Sequence, residues 1–282
     1  DGKGTLYVGM YNEFGCARPD ARGKLVFTSF RQGLQDFPYD LGDIWRVFVT
    51  PGGIFFQGYH SLFHFNDKGE LLRVYTSPGN FRFSFLVGGT LYIQEMGKGL
   101  LRLEGNQLEP MPGLEELRNK EIWALLPGDG GTLTVGTSDN GVFTYTGNAL
   151  IPWNTPANEL LKTHQIFSAC SVNDNSLAFG TIRGGVVITT TKGELIQHLH
   201  KNNGLQNNTV LSIAADRQDN LWMGLDNGID FACISSPLTF LHHEGGFGTG
   251  YAAAIHGGYL YLGTNNGLFA APWPPAETGE QP

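Results

Sequence analysis

One phrase recurs along this 282-residue chain, and its recurrence limits the fold more than any other feature. The phrase is a short apolar strand, a polar turn, a strand ending in Gly, a second turn and a third strand. Its clearest copy is TVLSIAADRQDNLWMGLDNGIDFA, Thr209 to Ala232. Further copies run from Ile44 to Phe65, Glu121 to Tyr145, Gln165 to Thr189 and Tyr251 to Pro272, with a degenerate one from Phe83 to Leu103. The strand-ending residue falls at Gly9, Gly58, Gln94, Gly136, Gly180, Gly224 and Gly263, in steps of 49, 36, 42, 44, 44 and 39 residues.

Seven anchors about 40 residues apart match one four-stranded antiparallel blade each, which predicts an all-β, seven-bladed β-propeller over residues 1–272. Small residues give a second register mark. Ala124, Ser168 and Ser212 stand twelve positions before their anchors, and Ser84 and Ala253 fall there if the turn is two residues shorter. That position belongs to the first strand, nearest a propeller axis, where blades crowd. Arg46 breaks the pattern. As a buried guanidinium it needs a partner, Asp43 or Asp40, unless it lies at the channel mouth and meets an anionic ligand such as an acidic sugar.

The turns carry their own chemistry. Asp219-Asn220, Asp129-Gly130 and Gly88-Gly89 read as two-residue hairpins between first and second strands; Asn140-Gly141, Asn227-Gly228 and Asn266-Gly267 read likewise between second and third. Gly is 40 of 282 residues without a G-X-Y period, which fits many tight turns. Residues 4–9 match a second strand, and Gly267 to Ala271 a third. The terminal blades are therefore expected to complete one another in part, or to lack a strand that precedes Asp1. Residues 273–282 read as a Pro-rich linker. Helix is expected only as short turns at Leu114 to Lys120 and Asn158 to Lys162.

Gly204 to Asp230, GLQNNTVLSIAADRQDNLWMGLDNGID, resembles the two-component regulator propeller repeat, "GL-s-N-x-V-x-x-I-x-x-D-x-x-G-x-L-W-I-G-T-x-x-G-L". Gly204, Leu205, Asn208, Val210, Ile213, Asp216, Asn220, Leu221, Trp222, Gly224 and Gly228 carry the match; the other units fit it more loosely. The resemblance implies the extracytoplasmic, periplasmic sensor region of a bacterial hybrid histidine kinase or related membrane-bound regulator of Bacteroides-like bacteria. It further implies a carbohydrate-derived ligand and signalling through a homodimer of the parent protein.

Composition excludes several alternatives. Net charge is −8 with 18 scattered Lys and Arg, so the segment is not expected to bind nucleic acid. No apolar run reaches the ~18 residues of a membrane span, so no membrane insertion by this segment is expected. The chain begins at Asp1, not Met, and reads as an excised or processed piece whose missing signals say little about its parent. Cys16, Cys170 and Cys233 form no CxxC and are expected as three buried thiols, the alternative being one bridge with an odd thiol.

Catalytic and metal sites find no complete set of residues, and no cofactor is expected. Asp216 to Trp222 is similar to the sialidase Asp-box, S-x-D-x-G-x-x-W, a hairpin turn that sits away from active sites, and the arginines are too scattered for a sialidase. His198-x-His200 and His242-His243 lack a third ligand and read as solvated surface residues. Neither a GxSxG elbow nor a P-loop is present, and Glu115-Glu116 read as a solvated pair. The expected ligand surface is the propeller face formed by the second-to-third-strand loops and the connections between blades. Side chains suited to sugars there are Tyr39, Tyr59, His60, Lys98 and Arg183, with Arg46 if it lies at the channel mouth; Tyr39, Asp40, His164 and Asn207 sit in the connections.

Overall fold

The structure, a computed structural model, describes residues 2–34, 41–236 and 246–273. It divides into two compact units, residues 1–137 with 143–151, and residues 138–142 with 152–282. Seven antiparallel sheets are present among the described residues, each a meander of consecutive strands.

The first unit holds four sheets. β1 (Leu6–Met10), β2 (Glu13–Pro19) and β3 (Leu25–Ser29) form the first. β4 (Arg46–Thr50), β5 (Gly53–Gln57), β6 (Ser61–Phe65) and β7 (Leu71–Thr76) form the second, and β8 (Phe81–Val87), β9 (Thr90–Glu95), β10 (Gly99–Glu104) and β11 (Gln107–Pro110) the third. The fourth is β12 (Ile122–Pro127), β13 (Leu133–Thr137), β14 (Val142–Tyr145) and β15 (Leu150–Pro152). The second unit has α1 (Pro156–His164), then β16 (Ile166–Asn173), β17 (Ser176–Thr181), β18 (Val186–Thr190) and β19 (Leu195–Leu199). Two three-stranded sheets follow: β20 (Val210–Ala215), β21 (Leu221–Leu225) and β22 (Ile229–Ala232), then β23 (Gly250–His256), β24 (Tyr259–Thr264) and β25 (Gly267–Pro272).

Alternation along a strand sends neighbours to opposite faces, and here both faces are covered. In β5, Ile54 and Phe56 join Phe14, Phe63 and Phe65 in one cluster, while Phe55 joins Phe81, Leu91 and Ile93 in the next. Second strands are therefore apolar at nearly every position. The same arrangement packs Val87, Leu100 and Ile122 between the third and fourth sheets, and Val186, Ile188, Val210 and Met223 between β16–β19 and β20–β22.

The anchor glycines have a steric cause. A Cβ on Gly9 would come within 2.8 Å of Ile44 Cβ, and one on Gly180 within 2.8 Å of Val210 Cγ1. These two anchors admit Ile44, just before β4, and Val210, which opens β20. The small residues opposite follow from pairing, since Ala124 faces Gly136, Ser168 faces Gly180 and Ser212 faces Gly224. The expected register is off by one in three places: Ala252, not Ala253, faces Gly263, Ser84 faces Ile93 rather than Gln94, and Arg46 faces Gln57 rather than Gly58, so that Gln57 holds the anchor position of the second sheet. Where the anchor is not Gly, a buried amide takes over. Gln94 Nε2 donates to Lys120 O at 2.5 Å and its Oε1 accepts from the Ile122 N–H at 3.2 Å. One sheet earlier, Gln57 Nε2 donates to Arg82 O at 2.6 Å while its Oε1 accepts from the Ser84 hydroxyl.

Five of the first strands share a bulge, while β4 pairs with β5 without one. Register shifts lie between Phe81 and Ser84, Ile122 and Ala124, Ile166 and Ser168, Val210 and Ser212, and Gly250 and Ala252. The extra residue kinks the strand and re-aims a side chain.

Turns depart from expectation in detail. Gly88-Gly89 is a two-residue hairpin, with Val87 opposite Thr90 and positive φ at both glycines. Asp129-Gly130 is not, because a 3₁₀ turn at Asp129–Gly131 fills a longer loop. Beyond β24 the two loop residues are Asn265-Asn266, since Thr264 pairs with Gly267. Asp219-Asn220 belongs to a five-residue turn in which Asp216 Oδ1 accepts the N–H groups of Gln218 and Asn220 at 2.9 and 3.0 Å. The same turn is built on Asp20, Asn66 and Thr190, whose side chains accept from the residues two and four ahead. Its fourth position needs positive φ, met by Gly23, Gly69 and Gly193 and, less readily, by Asp219 at 62°.

Both helical expectations hold. A 3₁₀ turn covers Glu115–Leu117 with Glu115 and Glu116 exposed. α1 is nine residues, opened by Thr155, whose side chain accepts from the Asn158 N–H, and by Pro156 in its first turn. Within the second unit the fully buried Asn158 ties α1 to the chain before it, accepting from Val142 N–H and donating to Trp153 O, each at 2.7 Å. Trp273 still bonds to Gly258 O, and the remainder of the expected linker lies outside the described residues.

Candidate functional site

Within each unit the second-to-third-strand loops bond to the connections between sheets, so the two sets share a side. In the first unit Ser77 N–H donates to His60 O, Phe81 N–H to Tyr59 O and Gly97 N–H to Arg118 O. In the second, Ile166 N–H donates to Ser138 O, Arg183 N–H to His164 O and Asp226 N–H to Thr209 O. The surface expected to carry candidate side chains is thus formed locally in both units.

Tyr59 and His60 lie together in the β5–β6 loop, both exposed, with ring centroids 5.0 Å apart at 83°. Lys98 is committed elsewhere: its Nζ is 2.8 Å from Glu95 Oε1, and that carboxylate side chain is 4% exposed. Neutralising a buried acid is a structural task, so Lys98 is a weaker ligand candidate than expected. Arg46 is exposed, not buried, and forms no ion pair with Asp43. Crowding by protein holds its guanidinium below the usual arginine range, yet the exposed group stays a cation near neutral pH. Tyr39, Asp40 and the His242-His243 pair lie outside the described residues.

The second unit gathers residues that the sequence kept apart. Exposed Arg183, in the β17–β18 loop, stands beside His164 at the end of α1, which in turn faces β19. The His164 and His198 ring centroids are 5.9 Å apart, and those of His198 and His200 4.9 Å. All three histidines are half-buried, so the reading of His198 and His200 as solvated is corrected. Gly184 makes room for this corner, because a Cβ there would meet the His164 ring. Burial, then the charge of His198, then Arg183 push His164 below the ordinary histidine value; burial, His198 and His164 do the same for His200. His198 Nε2 is 2.6 Å from Gly184 O and must donate, while His200 Nδ1 accepts from Asn202 N–H at 3.3 Å. The corner therefore sets two histidines with lowered pKa, His164 and His200, beside His198 and the Arg183 guanidinium, a group able to donate hydrogen bonds. No group of three metal-ligating side chains occurs among the described residues.

The cysteines are free. Cys16 is buried, Cys170 half-buried and Cys233 exposed, so the expectation of three buried thiols fails at the last two. Asp216 serves its turn. Burial raises its pKa, but bonds from the Asn220 side chain, the Gln218 and Asn220 backbone and Trp222 Nε1 outweigh burial and hold it below the usual carboxylate range.

Antiparallel meanders packed face on face at a 40-residue period define the class of protein: its fold is that of the β-propellers. The chain is similar to the WD40 β-propeller domain of Doa1, at 11% identity and a TM-score of 0.61 over 82% of this chain and 75% of that one. It is similar to virginiamycin B lyase from Staphylococcus aureus, at 14% and 0.57 over 92% and 87%. It is also similar to PorZ, a surface component of the type-IX secretion system of Porphyromonas gingivalis, at 15% and 0.56. That match covers 95% of this chain, which spans only 45% of PorZ. No curated protein matches the chain in sequence. More particularly, residues 204–227 match the two component regulator propeller model, so the chain carries that repeat.

Proposed function

We propose that this chain is a non-catalytic, ligand-recognising sensor domain of a two-component-type signalling protein. In this reading it is a seven-bladed propeller held outside the cytoplasm, where it detects a carbohydrate-derived ligand and signals through association of two copies of its parent. The observation that carries the reading is the regulator repeat at 204–227, whose pattern the neighbouring β16–β18 segment repeats in register, with Ser168 opposite Gly180 as Ser212 is opposite Gly224. The loop-and-connection surface supports it, offering an aromatic–histidine pair at Tyr59 and His60 and a donor-rich corner at Arg183. The similarity to PorZ, a bacterial surface component, agrees with an extracytoplasmic setting.

Thermal unfolding against neutral and acidic oligosaccharides tests this. A ligand at 100 times its dissociation constant adds roughly 2.7 kcal/mol, which moves the midpoint by several degrees. A reproducible shift with one glycan class, without turnover of that glycan, is expected. No shift across the panel refutes direct sensing and leaves a scaffold for protein association; turnover of the stabilising glycan refutes the non-catalytic reading.

A further inference from the structure

Groups that can carry positive charge gather at one corner of the second unit without an acid to match them. Arg183 N–H donates to His164 O at 3.2 Å, which brings the β17–β18 loop onto the end of α1. The Arg183 side chain is exposed and forms no hydrogen bond or ion pair among the described residues. The rings of His164, His198 and His200 follow one another at 5.9 and 4.9 Å. Arg183 and His198 act on His164, and His198 and His164 act on His200, so the four groups share one field. The other charged side chains of the elements packed here are Glu159 and Lys162 of α1, paired with each other at 2.7 Å, Asp139 next to Ser138, and Lys201 in the 3₁₀ turn after β19. Among the described residues neither carboxylate pairs with Arg183 or with a ring.

An exposed arginine alone would be a solvated side chain. This one stands beside rings whose backbone is held from several sides. Asn203 Oδ1 accepts the His200 N–H at 2.6 Å and its Nδ2 donates to His198 O at 2.7 Å. Asn208, in the regulator repeat, accepts the Lys201 N–H on Oδ1 at 2.7 Å and the Gly185 N–H on its backbone O at 2.8 Å, so one residue ties the Arg183 loop to the end of β19. His200 Nδ1 accepts from Asn202 N–H, which leaves the ring proton on Nε2 as a donor. His198 is committed to the scaffold through Gly184 O. The His164 ring makes no hydrogen bond among the described residues and is half-buried beside Arg183. An anion set against this group meets a guanidinium fork, one N–H donor and a ring that can add a proton.

We propose that Arg183, His164 and His200 hold the oxyanion of an acidic sugar, the carboxylate of a uronic acid or a sulfate ester, and that its binding adds a proton from solvent to His164. Burial, His198 and Arg183 hold the His164 pKa below the ordinary histidine value while the corner is empty. An anion next to the ring favours its charged form and draws the proton in. Affinity for the anion therefore rises as pH falls through about 6.5. The sugar rests on the carbohydrate-sensing reading, while the anion follows from the charges of the corner.

The test is calorimetric titration of the 282-residue chain with trigalacturonate, a sulfated carrageenan tetrasaccharide, neutral galactotriose and maltotriose, and sodium sulfate. It is run at pH 6.0 and 7.5 on wild type, Arg183→Gln, His164→Asn and Lys192→Gln, each first checked for a cooperative melt. Arg183→Gln removes an exposed side chain and keeps the backbone bond to His164 O, so it leaves the fold intact. Lys192→Gln makes the same change of charge at the other end of β18. One acidic oligosaccharide is expected to bind, more tightly at pH 6.0, with affinity about tenfold or more weaker in Arg183→Gln and unchanged in Lys192→Gln. Titrations at pH 6.0 in two buffers of different ionisation enthalpy should show proton uptake that His164→Asn abolishes. The trigalacturonate and carrageenan arms tell a carboxylate from a sulfate ester. Acidic binding that Arg183→Gln retains in full, or that Lys192→Gln weakens equally, overturns the corner and leaves carbohydrate sensing standing. Binding of a neutral sugar alone does the same. Proton uptake that is absent, or that persists in His164→Asn, overturns the part given to His164. Sulfate bound as tightly as either acidic sugar overturns the sugar as occupant and leaves an adventitious ion only. If wild type binds no oligosaccharide, neutral or acidic, the sensing reading and the corner fall together.

Discussion

Gly180 and Gly224 occupy the same register position one repeat apart, yet alanine should act differently at the two. At Gly180 a Cβ meets the Ser168 hydroxyl, Val210 Cγ1 at 2.8 Å and Val210 Cβ at 3.1 Å. Val210 is fully buried and β-branched, with one favoured rotamer, so it cannot turn aside. Overpacking of this kind costs about 1–3 kcal/mol, offset by about 0.5–1 kcal/mol from the reduced freedom of the unfolded chain. The net expectation is a loss of roughly 1–2 kcal/mol. At Gly224 only the Ser212 side chain is near, with its Cβ at an ordinary 3.7 Å, and its exposed hydroxyl can rotate. Gly224→Ala should lie within about 0.5 kcal/mol of wild type. Urea unfolding of both single variants, and of Gly180→Ala in a Val210→Ala background, separates the terms. The Gly180→Ala penalty should largely vanish once Val210 is cut back. Equal effects at the two glycines, or a penalty undiminished in the double variant, would refute the steric account of the anchors.

Three further outcomes are expected. Gln94→Leu removes the partners of Lys120 O and Ile122 N–H at once and should cost about 2–4 kcal/mol in the same unfolding assay, although the side chain is nearly isosteric. A thiol reagent at pH 8 should modify Cys233 quickly and Cys16 and Cys170 only on unfolding, since Cys16 is buried and burial pushes the Cys170 thiol up to about 11. The folded pKa values of His164 and His200 lie below their unfolded ones, so the unfolded state binds more protons as the solution is acidified. Stability from this corner should therefore be full well above pH 6.5 and fall as pH drops through that value toward the folded pKa; pH-dependent melting should flatten in a His164→Asn/His200→Asn variant.

The recurrence of the Gly anchors exposed the seven sheets, and at Gly9 and Gly180 close contact with Ile44 and Val210 accounts for the glycine. The bulges were not visible, since an inserted residue shows only against its paired strand; the offsets at Ala253 and Ser84 come instead from turn length, both turns being two-residue hairpins closed by His256 with Tyr259 and Val87 with Thr90. The turns on Asp20, Asn66 and Thr190 could have been found from a polar residue three before a Gly, which the emphasis on two-residue hairpins passed over. Of the candidate site, Tyr59 with His60 and the exposure of Arg183 were legible from loop position. The histidine corner was not, because His164 and His198 are 34 residues apart and meet only through the packing of α1 beside β19. Arg46 was misjudged for a related reason: its register is that of a small buried residue, but its side chain leaves the strand toward solvent.

The glutamine bonds of the first unit all run one way along the chain. Gln57 in β5 serves the backbone of β8, and Gln94 in β9 serves that of β12. A strand emerging from the ribosome therefore meets a partner that has already been made, and each glutamine amide waits only for the next sheet to satisfy it. Synthesis from the N-terminus, which favours earlier segments folding first, matches the direction of these bonds. Permuting the chain to begin between β7 and β8 would reverse that order for Gln57 alone, leaving Arg82 O and the Ser84 hydroxyl without their partner until the last strands were made.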